Sequence, residues 1–314
     1  MKFRNDPQTH LKGALAALFT PFTDSGEVDH DSLRNMIRWQ LANGTDGITI
    51  GGSTSEPGAQ SVEERAAAIR TAADEIGDQA PLMPGTGTAK MSETLELTAA
   101  AVDAGADAAM IITPYYAKPT QEALYQWFAT VAREFPQMPL VIYNVPTRTA
   151  VDISPETVAR LFKDFDNIVG IKETTKDFEH FSRVMHAAGP ELMVWSGIEL
   201  LCLPLMALGG VGFISALGNM APKAVADMYD AWEAGDFAKA REIHYGVHPL
   251  VDLLFAETNP APSKLVMAQR GLIASEHVRL PLVAPTDAGQ RKIKALLDEG
   301  AEYMTSVDGF QITK

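Results

Sequence analysis

Short apolar runs alternate with amphipathic segments along most of this 314-residue chain, and this alternation limits the folds open to it. Eight such runs occur, at residues 14–20, 47–50, 81–85, 108–113, 139–144, 167–172, 192–197 and 210–215. They are apolar without a break, which is typical of strands in a parallel sheet covered on both faces. The segments between them carry apolar residues at helical spacing, for example Leu33, Ile37 and Leu41.

The number of these strand–helix units indicates a closed barrel. Eight units within about 230 residues are the content of a (β/α)8 barrel. An open doubly wound sheet is the alternative, but the stretch ALFTPFTDSG after the first run is not the glycine-rich phosphate turn expected there. Past residue 234 the runs stop and only amphipathic segments follow. We therefore predict an α/β protein, with a TIM barrel over residues 1–234 and a C-terminal helical region over residues 235–314.

The helix boundaries are marked by capping residues. Ser154 followed by Pro155 predicts a helix start, because serine caps the first turn and proline suits the first helical position. The glycines of ANGTDG and DAGAD predict helix ends.

The composition argues against several classes of protein. With 26 basic and 40 acidic residues the net charge is −14, which repels nucleic acid. No run approaches 18 apolar residues and the N-terminus MKFRNDPQTHLKG lacks an apolar signal core, so we expect no membrane association. Cys202 is the single cysteine, which excludes an internal disulfide and favours a reducing compartment. We expect a soluble, cytoplasmic protein.

The stretch DNIVGIKETT, residues 166–175, ends an apolar strand on Lys172. In a barrel the active site forms at the C-terminal ends of the strands, so Lys172 is expected at the mouth. Apolar surroundings disfavour the ammonium form, and a neutral amine can attack a carbonyl to form a Schiff base. The alternative for Lys172 alone is a side chain that reaches solvent or pairs with Glu173.

Residues after the other strands supply further candidates. Tyr143 could shuttle protons, or could be an ordinary buried tyrosine. Arg148 could hold a carboxylate with two hydrogen bonds, or could be a surface arginine. The loop GGSTSEPG offers N–H groups and hydroxyls to a small carboxylate, although such clusters are often plain loops. In TPYYAKP, one of Tyr115 and Tyr116 could enter the site while the other joins an interface, or both could simply pack.

Metal and cofactor motifs are weak in this sequence. His244 and His248 have helical i, i+4 spacing, but Gly246 lies between them and no third ligand follows at a familiar spacing. The stretch GTGTAK matches neither a phosphate-binding loop nor a dinucleotide fingerprint. We expect no metal and no organic cofactor.

Taken in order, the motifs GGSTSE, TPYYAKP, YNVPTRT, GIKETT, WSG and GGVGFIS resemble those of the dihydrodipicolinate synthase and N-acetylneuraminate lyase superfamily, the class I pyruvate-dependent aldolases. The resemblance covers nearly the whole chain and includes ETNPAPSK, which is similar to the start of the family's C-terminal helical region. It implies a Schiff-base lyase that condenses pyruvate with a small aldehyde without metal or cofactor. YNVPTRT is the form of the synthase branch.

The resemblance also implies a role for each matching residue. Lys172 is the Schiff-base lysine, and Tyr143 belongs to a proton relay with Thr54 and Tyr116. Tyr116 corresponds to a tyrosine that the family inserts across a tight dimer interface, which implies a homodimer or homotetramer. The implied substrate-binding residues are Ser53 and Thr54 for the pyruvate carboxylate, Arg148 for the carboxylate of L-aspartate 4-semialdehyde, and Gly197 and Ile214 for the pocket wall.

Three departures from the family pattern keep alternatives open. Ser55 replaces a glycine of the first motif, Pro57 follows Glu56, and Ile198 stands where the synthases usually carry an acid. These departures favour a catabolic pyruvate-dependent aldolase or hydratase-aldolase cleaving a 4-hydroxy-2-oxo acid. A metal-dependent class II aldolase and a non-catalytic small-molecule-binding barrel are the remaining alternatives.

We expect weak or absent inhibition by lysine. Lysine-inhibited relatives use histidines and an asparagine at the positions of Val62, Arg65 and Ala89, although Glu93 is retained. A steady-state assay with added lysine tests this expectation, and inhibition at micromolar lysine would contradict it.

Overall fold

A computed structural model describes residues 3–312, so residues 1, 2, 313 and 314, at the outer ends of the two predicted regions, lie outside the described part. The described residues form seven β-strands: β1 (Gly13–Ala17), β2 (Gly47–Thr49), β3 (Ala109–Ile112), β4 (Leu140–Asn144), β5 (Ile168–Glu173), β6 (Met193–Ser196) and β7 (Gly212–Ser215). All of them pair in parallel, in the order β2-β1-β7-β6-β5-β4-β3.

The 81–85 segment closes this sheet into a (β/α)8 barrel. Isolated parallel bridges join Leu82 to Ile48 on one side and Gly85 to Met110 on the other. The backbone hydrogen bonds of this segment include Gly85 N–H to Ile50 O at 2.7 Å and Met110 N–H to Pro84 O at 2.9 Å. The predicted barrel is therefore confirmed.

The prediction of eight regular strands was wrong at this one segment. Pro81 and Pro84 have no N–H group, so the segment cannot donate at two of its positions and its ladder is interrupted. It still occupies the place of the eighth strand between β2 and β3.

The helices of the described part are α1 (Pro7–His10), α2 (His30–Ala42), α3 (Val62–Ile76), α4 (Met91–Asp103), α5 (Gln121–Glu134), α6 (Pro146–Thr149), α7 (Pro155–Asp164), α8 (Phe178–Ala188), α9 (Cys202–Ala207), α10 (Pro222–Glu233), α11 (Phe237–Gly246), α12 (His248–Leu254), α13 (Ala261–Gln269) and α14 (Asp287–Glu299). Short 3-10 turns lie at Ser53–Ser55, Pro57–Ala59, Glu199–Leu201, Leu217–Asn219 and Ala301–Tyr303. Four helices follow α10, so a C-terminal helical region is present; its boundary at residue 235 stays a prediction.

The predicted helix signals are confirmed. The Ser154 side chain accepts the Thr157 N–H, and Pro155 is the first residue of α7. Gly44 and Gly105 follow α2 and α4 with φ angles of +84° and +80°, a backbone conformation that favours glycine.

Two apolar clusters form the core. The smaller one fills the barrel interior and contains Leu11, Leu15, Ala17, Met83, Ala108, Met110, Val141, Tyr143, Val145, Val169, Met193, Trp195 and Ile214. The larger one lies between the strands and the surrounding helices, with members such as Ile142 and Ile171. Among residues 3–312, no helix combines the length and apolar character that crossing a bilayer requires.

Candidate active site

Lys172 lies near the end of β5, on the face that points into the barrel. It pairs in register with Tyr143 of β4 and with Trp195 of β6, and both of these belong to the interior cluster. Residues directly opposite each other on neighbouring strands share a face of the sheet. The mouth of the barrel therefore holds a lysine that is only 6% exposed.

A register shift between β4 and β5 decides this orientation. Leu140 pairs with Ile168, but the next residue of β4, Val141, pairs with Gly170, so β5 contains one extra residue. Ile168 and Ile171 both pack in the outer cluster although three positions separate them, which an uninterrupted strand cannot achieve. The bulge resets the alternation and turns Lys172 inward.

The Lys172 amine is close to an aromatic ring and has no acidic partner. Its Nζ lies 4.6 Å from the centre of the Tyr143 ring. Within residues 3–312, no carboxylate oxygen lies within 4.0 Å of this nitrogen. Glu173, the partner suggested by sequence alone, points outward and contacts His180 instead. The amine is therefore available to react with a carbonyl group.

Tyr143 is hydrogen bonded to the loop after β2. Its hydroxyl lies 3.3 Å from Ser53 Oγ. The neighbouring Thr54 is buried, and its Oγ1 accepts a hydrogen bond of 3.0 Å from Asn259 Nδ2. The structure thus brings Ser53 to Tyr143, whereas the relay through Thr54 stays a prediction.

Ser55, one of the departures from the family pattern, ties the same loop to the barrel. Its side chain is fully buried, donates to Leu18 O at 2.6 Å and accepts the Gly51 N–H at 2.8 Å. The serine hydroxyl therefore fixes the loop without entering the site.

A pocket of about 340 Å³, open to solvent, lies over this loop. Its lining consists of Gly51, Gly52, Ser53, Pro57, Gly85, Gly87, Met110, Ile112, Tyr115 and Tyr143. Tyr115 is thus at the site, whereas Tyr116 is 95% exposed and has a φ of +74°. A single chain does not bring Tyr116 to Tyr143, so the assignment of Tyr116 to the relay stays a prediction.

Gly197 makes room for Lys172. A Cβ atom at this position would lie 2.7 Å from Lys172 Cε and 2.1 Å from Thr174 Oγ1. Ile214 is buried in the barrel interior and pairs with Leu15 of β1. Neither Gly197 nor Ile214 lines the pocket over the loop after β2, and their role in a pocket wall stays a prediction.

Arg148 lies in α6, directly after β4. It is exposed, and among residues 3–312 its guanidinium has no carboxylate within salt-bridge distance. An unpaired guanidinium beside the mouth can bind an incoming carboxylate with two hydrogen bonds.

Glu199 connects the ends of β6 and β7 by hydrogen bonds. Its carboxylate accepts hydrogen bonds from Ser215 Oγ at 2.8 Å and from the N–H groups of Ala216 and Leu217 at 2.8 and 3.2 Å. The residue as a whole is partly exposed, but its carboxylate is enclosed, and this burial raises the pKa of Glu199. The charge of Lys172 lowers the same pKa, with less effect than burial or the three hydrogen bonds.

A buried polar cluster lies at the ends of β4 and β5, on the face that points toward the helices. Glu173 accepts hydrogen bonds from Asn144 Nδ2 at 2.8 Å and from the Thr174 N–H at 3.0 Å, and lies 3.2 Å from His180 Nε2. Burial raises the pKa of Glu173. Burial lowers the pKa of His180, but Glu173 and Asp152 raise it by more, so the net shift is upward. This cluster joins the two strands that carry Tyr143 and Lys172.

Arg65, one of the residues behind the expected weak inhibition by lysine, is 5% exposed. Its guanidinium donates to Gly85 O at 2.8 Å, and burial lowers the pKa of Arg65 to about 10. The expected weak response to lysine stays a prediction.

Sequence reasoning missed Asn259 and did not assign Glu199. Asn259 contacts Thr54 across 205 positions of sequence, and its only signal was the motif ETNPAPSK.

His244 and His248 have ring centres 5.3 Å apart, and among the described residues no group of three or more His, Cys, Asp or Glu side chains is placed to hold a metal.

Comparison with known proteins agrees with this geometry. A model described as the dihydrodipicolinate synthetase family matches residues 10–300. The chain is 43% identical over 288 residues to the 4-hydroxy-tetrahydrodipicolinate synthase of Thermus thermophilus, covering 92% of this chain and 96% of that relative. Dihydrodipicolinate synthase from Aquifex aeolicus has a TM-score of 0.89 at 39% identity, covering 94% of this chain and 100% of that one. A structure described as the first monomeric dihydrodipicolinate synthase variant has a TM-score of 0.89 at 35% identity, covering 94% and 99%.

A (β/α)8 barrel matched to these relatives defines a class I pyruvate-dependent lyase. The chain belongs to the dihydrodipicolinate synthetase family.

Replacing Gly197 by alanine is expected to impair the Schiff-base lysine without unfolding the protein. The added methyl group would displace Lys172 Cε, and such a displacement costs about a hundredfold in rate. The measurement is the rate at which borohydride traps pyruvate on Lys172. Gly58→Ala is the matched control, because Gly58 is exposed and an added Cβ meets nothing within 4 Å. Equal trapping rates in both variants would contradict the expectation.

The His180–Glu173 contact is expected to make stability depend on pH. Because the pKa of His180 is raised on folding, its contribution is present below the unfolded value of about 6.5 and is lost as the pH rises through the folded value. Urea unfolding of wild type and His180→Gln across this range measures the effect. The wild type should lose more unfolding free energy with rising pH than the variant; parallel curves would argue against the contact.

Proposed function

We propose that this protein is a 4-hydroxy-tetrahydrodipicolinate synthase, which condenses pyruvate with L-aspartate 4-semialdehyde. The observation that carries the proposal is the buried Lys172 amine, which lies 4.6 Å from the Tyr143 ring and forms no ion pair with an acid of residues 3–312. The family and the similarity to the Thermus thermophilus synthase support the choice of reaction.

The first stage forms a covalent bond with pyruvate. The free Lys172 amine attacks the ketone carbon to give a carbinolamine, which loses water to form an imine. The Tyr143 ring centre lies 4.6 Å from this nitrogen, and the Tyr143 hydroxyl lies 3.3 Å from Ser53 Oγ. We assign the proton transfers to Tyr143, with Thr54 and Tyr116 completing the relay.

The second stage makes the carbon–carbon bond. The imine loses a proton from the pyruvate methyl carbon, and the resulting enamine carbon attacks the aldehyde carbon, whose oxygen becomes a hydroxyl group. The amino group of the semialdehyde then displaces the Lys172 nitrogen and closes the ring. No step requires a metal or an organic cofactor.

Two carboxylates need binding groups in this reaction. Ser53 and Thr54 offer hydroxyls to the pyruvate carboxylate at the start of the 3-10 turn after β2. Arg148, exposed and unpaired among the described residues, binds the carboxylate of the semialdehyde. Gly197 and Ile214 form the pocket wall.

The catabolic alternative has less support. It was suggested by Ser55, Pro57 and Ile198. The Ser55 hydroxyl, however, is hydrogen bonded to Leu18 O and the Gly51 N–H and does not enter the site. Ile198 precedes Glu199, whose enclosed carboxylate accepts a hydrogen bond from Ser215 at the ends of β6 and β7.

We also propose that the protein works as a homodimer or homotetramer in the cytoplasm. Tyr116 is 95% exposed in a strained left-handed conformation, which suits a residue donated to a neighbouring subunit. The single cysteine, Cys202, is buried, which suits a reducing compartment.

Two measurements on one sample test the proposed reaction. Borohydride with pyruvate should add one reduced adduct to Lys172, and Lys172→Ala should give none. Pyruvate and L-aspartate 4-semialdehyde should then be consumed together, faster than any 4-hydroxy-2-oxo acid is cleaved. An adduct without condensation would favour the catabolic lyase, and the absence of an adduct would exclude the whole mechanism. Retention of activity in chelator separates this reaction from a metal-dependent aldolase.

A further inference from the structure

We propose that Lys264 is a positioning residue for this reaction, because its ion pair with Glu56 fixes the loop that carries Ser53 and Thr54. This inference rests on the proposed function, since it concerns how the same site binds pyruvate. Lys264 lies in α13, within the motif ETNPAPSK, and is remote from the reacting atoms in sequence.

The Lys264 ammonium is fully enclosed and contacts two hydrogen-bond acceptors and an aromatic ring. The residue is 0% exposed, and its Nζ lies 2.5 Å from Glu56 Oε1 and 3.0 Å from His277 O. The same nitrogen lies 4.0 Å from the centre of the Phe22 ring. Buried lysines occur almost only with such partners. The ammonium group therefore has a fixed position inside the protein.

Glu56 connects the fixed Lys264 ammonium to the loop that carries Ser53 and Thr54. Its carboxylate accepts the Arg279 N–H at 2.9 Å in addition to the Lys264 contact, and the residue is 6% exposed. Its φ of +56° is left-handed, which a residue other than glycine adopts only when its surroundings hold it there. Thr54 lies two residues earlier, so release of Glu56 would let the catalytic hydroxyls move.

The same C-terminal stretch also orients one of those hydroxyls. Asn259 donates to Thr54 Oγ1 at 3.0 Å, which leaves the Thr54 O–H free to donate to another acceptor. The carboxylate of pyruvate is such an acceptor. Asn259 and Lys264 thus hold the loop from one side at two points.

Fold stability alone does not account for the Lys264 charge. Burial lowers the pKa of Lys264 to about 8, so the folded protein holds this proton less tightly than the unfolded chain does. Glu56 and Arg279 are the charged groups that act on it, with opposite signs. Apolar residues often replace a buried ion pair without loss of stability, which leaves a geometric role for this one.

The test is pyruvate trapping in Lys264→Met, which keeps the length of the side chain and removes its charge. Borohydride trapping is measured against pyruvate concentration, at a temperature at which circular dichroism shows the variant folded. The half-saturating pyruvate concentration should rise about tenfold. The half-saturating aldehyde concentration should change little, because Arg148 belongs to another loop. Lys223→Met is the matched control, since Lys223 is exposed and its ammonium pairs with the neighbouring Asp227 at 2.9 Å.

The outcomes separate this inference from the proposed function. A folded Lys264→Met protein that traps pyruvate at the wild-type half-saturation, or that is altered only in melting temperature, overturns the inference and leaves the function intact. A wild-type protein without an adduct overturns both. If Lys264→Met does not fold, Glu56→Gln takes its place, because it keeps the shape of the acid and removes its charge. Glu56→Gln should show the same rise, and an unchanged half-saturation overturns the inference.

Discussion

One extra residue in β5 determines what this barrel can do. The shift of register between Leu140 and Val141 reverses the alternation of the strand, so that Lys172 faces the interior and Glu173 faces the helices. Without it, the lysine would lie outside among Asn144 and His180, and the acid would lie beneath Tyr143. The hydrogen bonds of Glu173 to Asn144 and Thr174 then hold the two strand ends together. The inward position of the Lys172 amine thus depends on a bulge in an otherwise regular sheet.

The sequence predicted the architecture well because parallel strands are apolar throughout. Seven of the eight runs are strands, and the barrel and its C-terminal helices are present. The 81–85 segment differs because an apolar pattern shows that a segment is buried but not that its backbone can donate hydrogen bonds. Pro81 and Pro84 have no N–H group to donate. The bulge in β5 was equally invisible, since every residue of that strand is buried and no polar position marks the change of face.

The site residues that directly follow strand ends could be predicted from the sequence. The contacts between segments that are distant in sequence could not. Tyr143 and Lys172 pair directly, as strand order implies. The contact of Ser53 with Tyr143, and that of Asn259 with Thr54, depend on loop conformation and on how the C-terminal region packs. Capping and periodicity are local signals and carry no information about such contacts.

The contacts of Thr54 with Asn259 and of Glu56 with Lys264 span 205 and 208 positions of sequence. A chain growing on the ribosome can complete most of the barrel before either partner has been made. During that interval the lysine and tyrosine can already be in place while the substrate-binding loop is not. We expect the growing chain to gain its fold before it gains the two contacts that fix this loop.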